Sequence, residues 1–377
     1  MEDKVLELGD KVIELGEKVL IKNNESYITS LLRKNSFKKT PLILRIIIIY
    51  IPVLILNTYF LLSNYEQISG DLGMVIGLIF AIMWMLWGPI LIYKYEVKVY
   101  PNFWLKLIDI CSESDKEQII KLKTNISKKS ELLKKIIFVS WLSLIFITIY
   151  FGFDKLKILG IDNMMEPDFA IFLLDLIIAA YLTSLGLSQT LIMIYTFIVL
   201  EKNITIPLDI NNKDGVGNYS LMFGYCFPTT LYLGSGVLFI PVLIEFTSTM
   251  EIIVTGLVSS LIILYSLFLL FSMLIPLFKG YTMADRSKSS QIYELTKKLN
   301  RAIDECLISP TSENERIYKT LKQKVDQVDK IPTYPFQVNI IIKIASTTLL
   351  PIFVFILKLF FTPEAVDNIK NLLIAIF

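Results

Sequence analysis

Apolar residues gather along this chain in seven long runs, at 41–63, 72–93, 136–153, 169–200, 219–247, 251–278 and 338–361. A helix needs about 20 mainly apolar residues to cross a hydrocarbon layer ~30 Å thick, so each run predicts a transmembrane helix. Nothing alternates apolar with polar over ten-residue units, which argues against transmembrane strands. The fold class expected is all-α. It is a polytopic helical membrane protein of about seven transmembrane helices, with a cytoplasmic helical domain that includes a long antiparallel hairpin.

The polar stretches between the runs have patterns of their own. Residues 1–40 open with DKVLELG, DKVIELG and EKVLIKN, three near-copies of one heptad. Val5, Leu8, Val12, Leu15 and Val19 fall at spacings of 3 and 4, the apolar seam of a coiled coil. Gly9 and Gly16 weaken that helix, and three heptads alone are marginal in water. Self-association, docking on another helix of the chain and a frayed tail all remain open. After the helices of 41–93, residues 94–135 form a basic helical segment, with acids early and lysines late, as the helix dipole favours. Helices three to six occupy 136–278. Residues 279–336 read as two helices broken at Pro310, with Ser312 and Glu315 as the capping box of the second. The seventh helix takes 337–361. Residues 362–377 are too short to span and predict an interfacial helix on the outer leaflet.

Charge settles the orientation expected. Lys and Arg number eight in 1–40, ten in 94–135, two in 201–217 and eleven in 279–336. The alternate loops hold none in 64–71 and two in 154–168, Lys155 and Lys157. Basic residues stay on the cytoplasmic side, so the N-terminus is expected in the cytoplasm of a cell-membrane protein and the C-terminus outside. A hydrophobic share of 54% and a mean hydropathy of +0.59 agree with a lipid solvent. The charged first forty residues show no signal-peptide pattern. The net charge of +2 carries no information. The basic segment 94–135 suits anionic headgroups, and it has no motif for nucleic acid.

Candidate chemistry is sparse. The chain has no histidine, and Cys111, Cys226 and Cys306 have no metal-binding spacing, so no metal site and no cofactor is expected. The run 169–200 carries one charge, Asp175. Asp175, Ala179, Thr183, Gly186 and Thr190 share one small, polar helix face, which must avoid lipid. It reads either as a close-packing seam between helices or as the lining of a hydrated path. Ser259 in the sixth run and Thr347 in the seventh, four residues before Pro351, extend the polar set. Asp175, Glu245 and Lys358 sit at similar depth near the outer leaflet, where Lys358 could pair with either acid. Arg45 and Lys343 lie toward the opposite side, with stems long enough to snorkel.

The clearest irregular loop is EKNITIPLDINNKDGVGNYS. Its acidic residues lack the glycine and late glutamate spacing of a calcium loop. The order Pro207-Leu208 … Asp214-Gly215-x-Gly217, opening into a new span, resembles a turn in some uncharacterised prokaryotic polytopic membrane proteins. The resemblance covers about fifteen residues and departs from that pattern in lacking a histidine and in having Asn218 rather than a further glycine. It implies a cytoplasmic elbow beneath the helix bundle and assigns no activity.

An intramembrane protease would need HExxH, facing aspartates or a serine with a base, and the runs offer none of these sets. The chain is therefore expected not to be an enzyme. The function expected is an integral membrane channel, pore or transporter subunit. The alternative is a non-conducting sensor or assembly scaffold that binds a partner through its cytoplasmic helices. The partners expected are the lipid bilayer, further copies of the chain and a cytoplasmic protein, with no nucleic acid.

Overall fold

The structure is a computed structural model describing residues 25–33, 40–69, 72–209, 217–236 and 252–332. Its helices among these residues are α1 (Tyr27–Leu32), α2 (Leu42–Ser63), α3 (Tyr65–Ser69), α4 (Leu72–Lys94) and α5 (Tyr100–Ile110). They continue with α6 (Glu113–Gly152), α7 (Pro167–Asn203), α8 (Ser220–Gly234), α9 (Ile252–Ile308) and α10 (Ser312–Lys330). A π-helical turn, Tyr95–Val99, joins α4 to α5, and a 3-10 segment, Phe153–Leu159, follows α6. No strand occurs among the described residues.

Five helical stretches are long and apolar enough to cross a membrane: Leu42–Ser63, Gly77–Ile110, Asp115–Tyr150, Pro167–Asn203 and Ile262–Ile308. They overlap the first, second, third, fourth and sixth apolar runs. The fifth run is described only as far as Gly236, and α8 within it has 15 residues. The seventh run, the heptads of 1–24 and the interfacial helix at 362–377 lie outside the described residues.

The helices outrun their apolar stretches. The 40 residues of α6 make a rod of about 60 Å, and the 57 of α9 one of about 85 Å, against a hydrocarbon layer of about 30 Å. Between Glu113 and Phe151 there is no glycine or proline, so the change from lysine-rich to apolar sequence changes the solvent without interrupting the backbone. Residues 94–135, expected as a separate segment, are thus the extension of α4 through the π turn into α5, followed by the first half of α6. In the same way 279–308 continues the sixth run without a break.

Large apolar side chains line the outside of these rods. Ile43, Ile47, Ile51, Ile55 and Leu62 of α2 are exposed, as are Ile136, Val139, Phe146 and Ile147 of α6 and Ile263, Leu264 and Phe271 of α9. In water so large an apolar surface would drive aggregation, whereas in lipid it is ordinary. The inner helix is α7, which buries Ala179, Ala180, Leu182, Leu185, Met193 and Phe197.

Toward the charged end of the bundle lies a second core, drawn from the basic segment and from the ends of the fourth and fifth apolar runs. Phe103, Trp104 and Leu107 of α5 pack with Ile119 and Ile126 of α6, Phe197 and Leu200 of α7, and Tyr225 of α8. The extended segment 204–209 is fastened across this core by polar groups of α9. Ser287 Oγ donates to the Ile206 carbonyl at 2.8 Å and Gln291 Nε2 to the Leu208 carbonyl at 2.9 Å. Arg286 donates to the Glu201 carbonyl at 3.1 Å, and Lys279 pairs with Glu201 at 2.7 Å. A strand-like segment without a sheet needs such donors for its carbonyls.

The hairpin of α9 and α10 is capped at both ends. Thr311, one residue before the expected Ser312, is the N-cap of α10, and its side chain accepts from the Asn314 N–H at 3.2 Å. At the other end Lys288 Nζ reaches from α9 to the carbonyls of Asp329 at 2.6 Å and Ile331 at 3.0 Å. A cation there satisfies orphan carbonyls and suits the dipole. Lys288→Met is expected to weaken that last turn by about 0.3–1 kcal/mol. Hydrogen exchange should accelerate at 328–332 while 285–300 stays protected. Equal acceleration in both would mean that the lysine holds more than the cap.

Candidate functional site

The polar residues singled out from sequence divide by location. Asp175 of α7 faces α2, where Asn57 Nδ2 donates to its Oδ1 at 3.0 Å and to the Val53 carbonyl at 3.0 Å. The carboxylate thus has an amide partner from the first span. Glu245, Lys358 and Thr347 lie outside the described residues, as do Asp214 and Gly215 of the elbow and Lys343. Ser259 falls within α9. Thr183 is half-buried, whereas Gly186 and Thr190 are buried. Thr190 Oγ1 returns its proton to the Gly186 carbonyl at 3.0 Å.

Gly186 meets α8 directly. A Cβ built there would stand 3.0 Å from Tyr232 Cε1, and the Tyr232 hydroxyl donates to the Leu182 carbonyl at 2.9 Å. The tyrosine ring lies where a side chain at 186 would be, so this part of the α7 face is a packing seam. Gly186→Val is expected to cost about 1–3 kcal/mol by overpacking, with Gly186→Ala smaller. Thermal unfolding of the purified chain should order them wild type, Ala, Val. A Val variant as stable as wild type would show that the contact is loose.

The elbow is described from Gly217 onward. Gly217 has φ +61° and Asn218 φ +84°, two successive left-handed residues that reverse the chain before α8. Asn218 Nδ2 donates to the Pro207 carbonyl at 3.1 Å. The Tyr219 hydroxyl sits 3.1 Å from the Ile206 carbonyl and 3.0 Å from that of Met283. Cys111, at the turn between α5 and α6, has its thiol pushed up to about 11 by burial and then by Asp115, so it is no thiolate nucleophile.

The densest polar assembly centres on a residue that the apolar pattern leaves in a loop, Glu96. It sits within the π-helical turn and is buried, 5% exposed. Its Oε2 accepts from the Ser26 N–H at 2.9 Å and the Ser26 hydroxyl at 2.8 Å. Its Oε1 faces Lys134 Nζ of α6 at 3.4 Å and Gln189 Nε2 of α7 at 3.3 Å. A π turn adds a residue to the helical register and turns this side chain inward, and such bulges are frequent at functional sites. Glu96 thereby holds the N-terminal end of α1. At the opposite end Arg45 Nη1 donates to the Leu32 carbonyl at 3.0 Å, which suits the helix polarity.

Beside Glu96 is a cavity of about 40 Å³ lined by Tyr95, Tyr100, Ser127, Ser130, Lys134 and Gln189, among others. The Tyr100 hydroxyl and Ser127 Oγ are 3.3 Å apart, and the Tyr95 hydroxyl stands 3.0 Å from that of Tyr225. Gln189 is 3% exposed and its Oε1 has no hydrogen-bond partner. A buried acceptor without a donor costs about 1–3 kcal/mol. Gln189 was visible in the sequence as the one amide of the fourth run, one residue from Thr190. Glu96 gave no signal, because Lys94 and Lys98 flank it.

No protein-family model, curated protein or solved structure matches this chain.

Proposed function

We propose that the chain is an integral membrane transport protein, a channel or transporter subunit with its N-terminus cytoplasmic and its C-terminus outside. The observation that carries the proposal is the Glu96 assembly. It joins a buried carboxylate, an ammonium and an amide on three membrane-length helices around a small cavity. Ionisable residues within membrane spans are costly and mark ion or substrate pathways, and Glu96 and Lys134 stand only three and two residues outside the second and third apolar runs. A purely structural bundle would be served better by apolar residues at these positions. The basic ends of α4 to α6 then lie against the anionic inner leaflet, and the α9–α10 hairpin projects into the cytosol as a regulatory or assembly element.

A second reading, a membrane-anchored scaffold, is favoured by the hairpin tip. Leu307 and Ile308 are 78% and 85% exposed there, far along a rod that leaves the membrane. Such a tip suits a cytoplasmic protein partner or a further copy of the chain. Purified chain in liposomes, assayed for uptake of lithium, sodium, potassium and rubidium, separates the two. Flux lost in Glu96→Gln supports transport. Silence towards every ion under imposed gradients, with a soluble partner recovered on the hairpin, supports the scaffold.

A further inference from the structure

We infer that the cleft beside Glu96 seats the phosphate and first acyl carbons of an anionic phospholipid from the cytoplasmic leaflet. The inference rests on the membrane setting and orientation proposed above, and holds whether or not the chain transports.

One face of α6 carries the recognition. Lys123, Ser127, Ser130 and Lys134 follow one another at spacings of 4, 3 and 4, a single stripe on a helix. Ser127, Ser130 and Lys134 line the cleft together with Tyr100, and Lys123 Nζ lies 5.9 Å from the centre of the Tyr100 ring. An ammonium thus stands at each end of the stripe with hydroxyls between, and basic pockets between helices on the cytoplasmic side suit phosphate headgroups. Lys134 is 18% exposed, and its three N–H donors on a flexible stem can serve Glu96 and a phosphate oxygen together. Both oxygens of Glu96 already accept from Ser26, Lys134 or Gln189, so a phosphate meets a carboxylate surrounded by donors.

The cleft itself favours a lipid over a soluble anion. It is half-open and mostly apolar, with Ile192 and the rings of Tyr95 and Tyr100 in its wall. A free phosphate gains nothing from such a wall, whereas a lipid brings hydrocarbon just beneath its phosphate. A space of about 40 Å³ takes only a fragment of that molecule. The stripe continues through the half-buried Ile137, Phe138 and Trp141, along which the rest of the chain can lie. Depth agrees, because the third apolar run begins two residues after Lys134. Charge agrees as well. From Lys121 to Lys135 α6 holds six lysines and one acid, Glu131, and the exposed Lys129 is held at 4.4 Å over the Tyr195 ring. That surplus selects an anionic headgroup over a zwitterionic one.

Native mass spectrometry of the full-length chain in mild detergent tests this, with dioleoyl phosphatidylglycerol titrated against dioleoyl phosphatidylcholine. Wild type is expected to retain one phosphatidylglycerol, held about tenfold tighter than phosphatidylcholine, the scale of one or two basic residues at an anionic surface. Lys123→Gln with Lys134→Gln should erase that preference. Lys121→Gln with Lys128→Gln, the same charge change outside the stripe, should leave most of it. Ser130→Leu, which fills the cleft without altering charge, should release the lipid. If the first pair fails to fold, Lys134→Gln compared with Lys128→Gln carries the test. Equal losses inside and outside the stripe, or a preference intact in Ser130→Leu, would mean diffuse attraction and overturn the site. Displacement of the lipid by inorganic phosphate would assign the cleft to a soluble anion and overturn it too. Ion flux without lipid preference removes this site alone, and lipid preference without flux removes transport alone.

Discussion

Phe103→Ala is expected to lower the unfolding free energy by about 3–5 kcal/mol, the range for truncating a buried aromatic residue. Phe103 is 2% exposed and its ring stacks on Tyr225 with centroids 4.3 Å apart. It meets Trp104 edge-on at 5.3 Å and Phe197 at 6.3 Å, so one side chain joins α5, α7 and α8. Although its partners Phe197 and Tyr225 fall in the fourth and fifth apolar runs, Phe103 itself lies ten residues past the second. There the alternative to burial is water, and the full hydrophobic term applies. Within lipid the alternative is hydrocarbon, and only packing is lost. Phe146→Ala, on the outer face of α6 where Phe146 is 54% exposed, is accordingly expected to cost less than about 1 kcal/mol. Chemical unfolding in mild detergent should separate the two variants clearly. A loss below about 1 kcal/mol for Phe103→Ala would mean that the charged end is not held by this aromatic core.

The same division of solvents explains what the sequence disclosed. The first, second, third, fourth and sixth apolar runs coincide with helices long enough to span, because lipid demands an uninterrupted apolar surface and the chain supplies it. Helix ends were hidden for the complementary reason. From Leu133 to Ile137 in LKKII, or from Phe278 to Tyr281 in FKGY, composition changes while the backbone keeps its hydrogen bonds, and hydropathy reports only the former. The cap of α10 illustrates a finer ambiguity. Thr311 with Asn314 and Ser312 with Glu315 are both sound cap pairs one residue apart, and only the φ and ψ of the built turn select Thr311.

Within the site, what was legible was charge amid apolar neighbours, hence Asp175. Its partner Asn57 is a single amide in ILNTYF, and nothing in either run specifies that the two meet. Glu96 illustrates the opposite failure. In YKYEVKVY it alternates with lysines and reads as a solvated helix end, while the π turn that rotates it inward is a tertiary accommodation without a sequence signature. Burial of a charge is decided by what packs over it. Here that is Ser26, 70 residues earlier, and Gln189, 93 residues later.

Glu96→Ala is expected to destabilise the chain by about 3–5 kcal/mol, since truncating one member of a buried pair leaves the other uncompensated. It removes the acceptor for Lys134, for Gln189 and for both donors of Ser26 at once. Lys134→Met should cost about 1–2 kcal/mol, because the carboxylate keeps three neutral hydrogen-bond donors and the thioether fills the space of the stem. The double variant no longer contains a buried unpaired ammonium, so it should be more stable than the sum of the single losses, with a coupling of about 1–3 kcal/mol. Hydrogen exchange adds a readout that the energies alone lack. Glu96→Ala should expose the amides of residues 26–32, because that carboxylate is what Ser26 caps against, while Lys134→Met should leave them protected. Strict additivity together with an undisturbed α1 would show that the ion pair and the helix anchor are independent, and that Glu96 does not unite the three spans around the cavity.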